Sequence, residues 1–333
     1  MEKYTCYDKP IKVFGVPFFE ERQSLERLPE EVIKQVPHLE YLGRRSVGVR
    51  VAFKTDSVNV NIRITYKTMS VDRGMSIYAS QSGQVMIGER DNCRYAGLVA
   101  PADYGVKEAE TTFIKSSEME QVTLYLPRNE HIDTVEISVD DGAKVLEPTP
   151  YKYEKPVVFY GSSITEGGCC CNVTNVYSAI LSRWFDFDYY NFGFSGSAKG
   201  ETEIADFIAS LDMSVFVYDY DHNAPTPEDL ARTHKPFFDI IREKHPDLPI
   251  IMMTRPYEIY GEKEIARREV VLKTYNDAVA AGDKNVYFID GETYFGTKDR
   301  NMCMVDTIHP NDIGFLRMAE VIRPVMEEAL KSI

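Results

Sequence analysis

The pattern with the clearest chemical meaning in this chain is Asp306-Thr307-Ile308-His309-Pro310, close to the C-terminus. A carboxylate three residues before a histidine on one loop can accept the imidazole Nδ1–H. That fixes the tautomer and leaves Nε2 free to take a proton from a hydroxyl. A hydroxyl that could use such a base lies in Gly161-Ser162-Ser163-Ile164-Thr165, directly after an apolar run. A serine at a strand-to-helix turn exposes its Oγ and can aim its own N–H at a developing oxyanion. The spacing is not the Gly-x-Ser-x-Gly elbow of α/β-hydrolases, and a serine that merely caps a helix would look the same. Two more loops carry groups for such a centre. In Gly193-Phe194-Ser195-Gly196-Ser197 a glycine lets the backbone approach a ligand and offer an N–H, or simply makes a tight turn. In Asp219-Tyr220-Asp221-His222-Asn223 the Asn223 amide could donate to an oxyanion, the two aspartates could be caps, and His222 reads as structural or as part of a substrate rim.

These loops need a frame. From residue 156 onward, strand runs (Pro156–Tyr160, Tyr189–Phe192, Val215–Tyr218, Ile250–Thr254, Val286–Ile289) alternate with helical stretches at Val176–Trp184, Glu201–Ser210, Pro227–Lys244, Lys263–Ala281 and Asn311–Lys331. Such alternation predicts parallel βαβ units in a five-stranded sheet covered on both faces. Ligands in such folds sit beyond the carboxyl ends of the strands, which is where the candidate loops fall. Before residue 150 the texture differs. Short period-two runs (Ser46–Phe53, Ser57–Thr65, Val122–Leu126, Thr134–Val139) predict antiparallel strands in a β-sandwich, with Leu28–Gln35 as a helical interruption. The proline-rich Glu147–Pro156 reads as a stiff connection. The expected division is 1–147 sandwich, 148–156 linker and 157–333 α/β unit.

Among 333 residues, 38 Lys and Arg face 52 Asp and Glu, a formal charge of −14. An acidic surface repels nucleic acid and anionic lipid, so neither is an expected partner. No apolar run approaches the ~20 residues needed to span a bilayer, and the opening residues lack the apolar core of a signal peptide, which predicts a cytoplasmic protein. The six cysteines contain no Cys-x-x-Cys pair, so reduced thiols are expected and no metal site or other cofactor is indicated.

Taken together, Ser163, Gly196, Asn223 and Asp306-x-x-His309, in that order, resemble the four blocks of the SGNH hydrolases, also called GDSL esterases and lipases. The resemblance covers roughly residues 156–333 and implies a flavodoxin-like α/β/α hydrolase domain. It implies Ser163 as nucleophile, His309 as base, Asp306 as its orienting acid, and an oxyanion hole of Ser163, Gly196 and Asn223. The N-terminal half resembles the jelly-roll-like accessory domain of a bacterial two-domain group similar to carbohydrate esterases. The implied reaction is hydrolysis of short-chain, above all acetyl, esters on a small molecule or oligosaccharide, with no cofactor and with homo-oligomerisation open. Two positions depart from the pattern. Ser162 stands where the family has the aspartate of its GDS block, and Ser197 stands where an asparagine is usual. Arg255 and His222 are candidate substrate contacts, and Arg255 could equally be a surface ion pair. Tyr95 and Tyr104 could form a sugar-facing wall, or be core or surface residues. The Gly167–Cys171 run could shape the acyl or leaving-group pocket. The alternatives are a lipase or thioesterase for longer chains and a carbohydrate-binding protein with a vestigial hydrolase domain. Redox or metal chemistry at Cys169–Cys171 lacks the partners it would need.

Overall fold

The computed structural model describes residues 1–72, 74–257 and 261–333. The N-terminal half forms two antiparallel sheets. One has the strand order Glu2–Thr5, His131–Val139, Asn59–Thr68, Glu108–Ile114. The other has the order Val145–Leu146, Arg50–Thr55, Glu120–Tyr125, Gly83–Ile87, Arg94–Val99, with Lys12–Phe14 also paired to Arg50–Thr55. Alternation drives the burial. Along Asn59–Thr68, Val60, Ile62, Ile64 and Tyr66 turn inward while Asn61, Arg63 and Thr65 stay partly exposed. The inner faces close on one core that includes Phe53, Ile62, Val85, Leu124 and Ile137. This is the expected jelly-roll-like sandwich. It holds strands the alternation did not mark, among them Gly83–Ile87 and the glutamate-bearing Glu108–Ile114.

The C-terminal half is built on a fully parallel sheet ordered Phe187–Gly193, Tyr153–Gly161, Val215–Asp219, Ile250–Met253, Val286–Ile289. Val157, Val158, Phe159 and Tyr160 are all buried, as a strand covered on both faces requires. Helices Tyr177–Phe185 and Asp312–Lys331 cover one face, and Thr202–Ala209, Pro227–Lys244 and Glu262–Ala280 the other. The first strand begins at Tyr153, so the expected linker is partly sheet. Tyr153 pairs with Phe187, and the register shifts before Val157, at Pro156, which has no N–H for the ladder.

One segment crosses the expected division. Helix Glu30–Gln35, with Leu28, Val36, Leu39 and Leu42 around it, buries its apolar side chains in the same core as Phe192, Phe194 and Ile204 of the α/β half. Among the described residues no helix is long and apolar enough to cross a membrane.

The sheet order puts the first strand in its interior, next to both the second and the third. After the first strand the chain enters the helices of one face, and after the third it enters those of the other. The crevice opened by that divergence is where a parallel sheet of this order holds its ligand.

Candidate active site

Ser163 opens a one-turn helix, Ser163–Glu166, directly after the first strand. Ser162 is its N-cap, accepting the Ile164 N–H at 3.1 Å. The serine that replaces the family's aspartate therefore braces the turn locally. Gly161 packs so closely under Asp219 that a Cβ there would lie 1.9 Å from the Asp219 carbonyl oxygen. The strand-to-helix turn thus depends on a glycine at that point.

The Ser163 hydroxyl lies 2.9 Å from His309 Nε2. His309 Nδ1 lies 2.9 Å from Asp306 Oδ2, and Asp306 Oδ1 also accepts the backbone N–H groups of Ile308 and His309, each at 2.7 Å. Burial disfavours ionisation of Asp306, but these hydrogen bonds outweigh it and hold the carboxyl below its usual range. The carboxylate therefore stays charged and keeps the Nδ1 proton on the imidazole. Nε2 is left as an acceptor for the serine proton.

Gly196 has φ +65°, a left-handed turn that glycine adopts without strain. Among the described residues neither the Ser163 nor the Gly196 N–H makes a backbone hydrogen bond. Asn223 donates one amide N–H to the Phe194 carbonyl at 3.0 Å, which ties the third-strand loop to the second. Ser163, Gly196, Asn223, His222, Asp306 and His309 all line one cleft of about 440 Å³. A larger groove of about 730 Å³, lined by Lys235, Arg242, Asp277 and Asp283 among others, contains none of these groups.

His222 is thus brought to the cleft. Burial lowers its pKa, and the neighbouring Asp221 only partly offsets this, so it is a neutral imidazole. Arg255 is not brought there. Its guanidinium lies 3.4 Å from Glu264 Oε1 and over the Tyr257 ring at 4.5 Å, the ion-pair arrangement of its two readings, and it is not among the described residues that line the cleft. Tyr95 and Tyr104 are exposed surface residues and do not line the cleft. Of the cysteine run, Cys169 lines the cleft and Cys170 is buried. Burial pushes their thiols up to about 11 and about 12, so neither offers a ready thiolate. Among the described residues no group of three His, Cys, Asp or Glu side chains is placed to hold a metal ion.

Support that no sequence spacing revealed lies behind the cleft. Glu166, fully buried, accepts the Ser195 N–H at 2.7 Å and pairs with Arg45 of the N-terminal half at 3.0 Å. Burial opposes its ionisation, but the charges of Arg128, Arg45 and Arg27 prevail and keep it ionised. Arg27, also buried, donates to the Asn191 and Gly193 carbonyls at 2.7 and 2.8 Å. The N-terminal half therefore fixes the loop that carries Gly196. Removing one partner of a buried ion pair leaves an uncompensated charge, so Glu166→Gln is expected to cost about 3–5 kcal/mol of stability. A urea melt reads this directly, and an unchanged midpoint would show that the guanidinium groups are satisfied without Glu166.

Asp219, under the turn that carries Ser163, accepts from Thr165 Oγ1 at 3.1 Å and, among the described residues, faces no cation in direct contact. Burial, reinforced by the Asp221 charge, pushes its carboxyl up to about 8. The folded chain thus holds a proton that the unfolded chain releases near pH ~4. This contribution to stability is full below that pH, declines as pH rises, and is lost above about 8. Asp219→Asn carries no proton to lose, so its urea midpoint should fall less than wild type across that range. Parallel declines in the two proteins would place the proton elsewhere.

The sheet order and the four loops at its carboxyl edge define an SGNH-type hydrolase. The chain belongs to the GDSL-like lipase/acylhydrolase family, whose model matches residues 154–327, and the model of the N-terminus of SGNH-hydrolase-type esterases matches residues 4–145. It is an esterase or acylhydrolase. Among solved structures it is similar to a protein described as a GDSL-like lipase from Bacteroides ovatus, at 26% identity over 99% of this chain and 98% of that one, TM-score 0.88. A salicylyl-acyltransferase from a tetracycline biosynthetic pathway shares the fold at 20% identity over 98% and 97%, TM-score 0.79. So does a family two carbohydrate esterase from Clostridium thermocellum in complex with cellohexaose, at 16% over 86% and 94%, TM-score 0.63. No curated protein matches this chain.

Proposed function

We propose that this chain is a serine esterase that removes short acyl groups, acetyl above all, from carbohydrate esters through an acyl-enzyme on Ser163. The observation that carries this reading is the unbroken Ser163–His309–Asp306 hydrogen-bond line, both links at 2.9 Å, opening on the cleft. His309 Nε2 takes the Ser163 proton as Oγ attacks the ester carbonyl, and Asp306 stabilises the imidazolium that forms. The Ser163 and Gly196 N–H groups and the Asn223 amide hold the oxyanion. The imidazolium then protonates the leaving alcohol. Water, deprotonated by His309, attacks the acyl-enzyme, and Ser163 regains its proton as the acid departs.

The cleft wall supports a short acyl group. Ile308 is its one large aliphatic residue among the described ones, whereas a long chain needs apolar surface to gain its ~0.8 kcal/mol per buried methylene. The likeness to a carbohydrate esterase fold supports the sugar, with His222 as a neutral contact at the rim. In this reading residues 1–147 form an accessory domain that also packs helix Glu30–Gln35 on the hydrolase core, and the hydrolase domain, placed at 157–333 by sequence, takes in the whole strand Tyr153–Gly161. The test is hydrolysis of nitrophenyl acetate, butyrate and octanoate. Rates should fall with chain length, and a preference for octanoate would make the protein a longer-chain lipase or thioesterase. Asn223→Ala should lower acetate turnover about 10²–10³-fold, the usual effect of losing one oxyanion donor. A loss below tenfold would remove Asn223 from the oxyanion hole.

A further inference from the structure

Two residues of the N-terminal half, Asp72 and Arg128, also line the catalytic cleft, and the reaction described above uses neither. Arg128 is 2% exposed. Its Nη2 donates to Asp72 Oδ2 at 2.9 Å and touches the Met75 sulfur at 2.9 Å. Its Nε and Nη1 are buried and have no hydrogen-bond partner among the described residues. A buried, unpaired guanidinium N–H is costly unless something else supplies the acceptor. Asp72 is held in place, accepting Gly74 N–H at 3.0 Å and the Asn129 amide at 3.2 Å, and its side chain is 36% exposed.

Gly168 shows where the pair sits relative to the chemistry. A Cβ at Gly168 would lie 3.3 Å from His309 Cδ2 and 3.5 Å from Arg128 Nη1. The guanidinium and the catalytic imidazole therefore border the same bare stretch of backbone. His309 returns its proton to the departing alcohol, so whatever lies against that side of the ring is the leaving group rather than the acyl group. The pair also has a definite chemistry. Asp72 and, behind it, the charge of buried Glu166 both offset Arg128, so the pair does not select an anion. A free N–H beside a fixed carboxylate suits a group that both accepts and donates, which is a hydroxyl.

We propose that Asp72 and Arg128 hold a free hydroxyl of the alcohol portion of the ester, close to the leaving oxygen, and so select polyhydroxy alcohols. This rests on the Ser163 esterase reading. The N-terminal half is then part of the specificity pocket, and the natural substrate is a partly, not fully, acylated sugar.

The experiment compares kcat/KM for a monoacetylated methyl glucoside and for nitrophenyl acetate, whose leaving group has no second hydroxyl. Wild type, Asp72→Asn, Arg128→Lys and Ser163→Ala are measured side by side. Asp72→Asn, at a partly exposed position, and Arg128→Lys should each lower the sugar-to-dye ratio by at least about tenfold, the worth of one charge-assisted hydrogen bond. Equal losses on both substrates, or no loss on either, would overturn the assignment by making the pair structural. Wild type that cleaves the dye ester through Ser163 but not the sugar ester would overturn the polyol assignment and leave the esterase standing. Turnover that survives in Ser163→Ala would remove the esterase reading, and this inference with it.

Discussion

Ser163→Ala is expected to lose on the order of 10⁵–10⁶ in kcat on any ester the wild type turns over, because nucleophile and base act as one unit. The proposed unit rests on the 2.9 Å Oγ···Nε2 contact. Without Oγ there is no acyl-enzyme, and the imidazole has nothing to deprotonate but water. The same logic makes the effect non-additive. His309→Ala alone should cost about as much as Ser163→Ala, and the double variant should fall little further. Independent, multiplying losses would mean that the two side chains serve separate steps. Ser163 and His309 are not structural anchors. Among the described residues Oγ has no partner other than His309, and His309 stands on a loop, so both single variants should fold with near wild-type melts.

The second large effect concerns Asp306. An amide in its place would present an N–H to Nδ1 and favour the wrong tautomer, so Asp306→Asn should lower kcat about 10⁴-fold. Two backbone donors, Ile308 and His309, converge on the other carboxylate oxygen at 2.7 Å. The substitution therefore also disturbs the loop that presents the imidazole. Asp306→Glu, which keeps the charge but lengthens the arm, should recover part of the activity. Activity of Asp306→Asn within tenfold of wild type would mean that His309 is oriented by something else.

The legible part of the site was its short-range part. Asp306 and His309 share one loop, so their geometry follows almost directly from a spacing of three. Ser163, Gly196 and Asn223 each follow a strand, and the sheet order then places those strand ends side by side. Contributions that join distant parts of the chain were not legible. Glu166 belongs to no motif that its neighbours in sequence define. Its role depends on Arg45, 121 positions away, and on the Ser195 amide, and nothing local encodes either contact. Asp72 and Arg128 were hidden for the same reason. Arg255 carried two readings, and following a strand does not by itself decide between them. It does follow a strand, but that strand lies beyond the third, away from the crevice between first and third, and Glu264 takes up its charge. Leu28–Gln35 reads as an interruption of the sandwich through sequence order alone. It precedes most of the sandwich strands, yet its apolar side chains complete the core under Phe192 and Phe194.

The most direct test of the central claim is labelling with a fluorophosphonate, which bonds to the oxygen of an activated serine with loss of fluoride, followed by mass spectrometry of the digested protein. One adduct is expected, on the peptide that carries Ser163, with loss of esterase activity in step with labelling and no adduct in Ser163→Ala or His309→Ala. An adduct on another residue that inactivates the enzyme, or full labelling of Ser163 with activity intact, would contradict it.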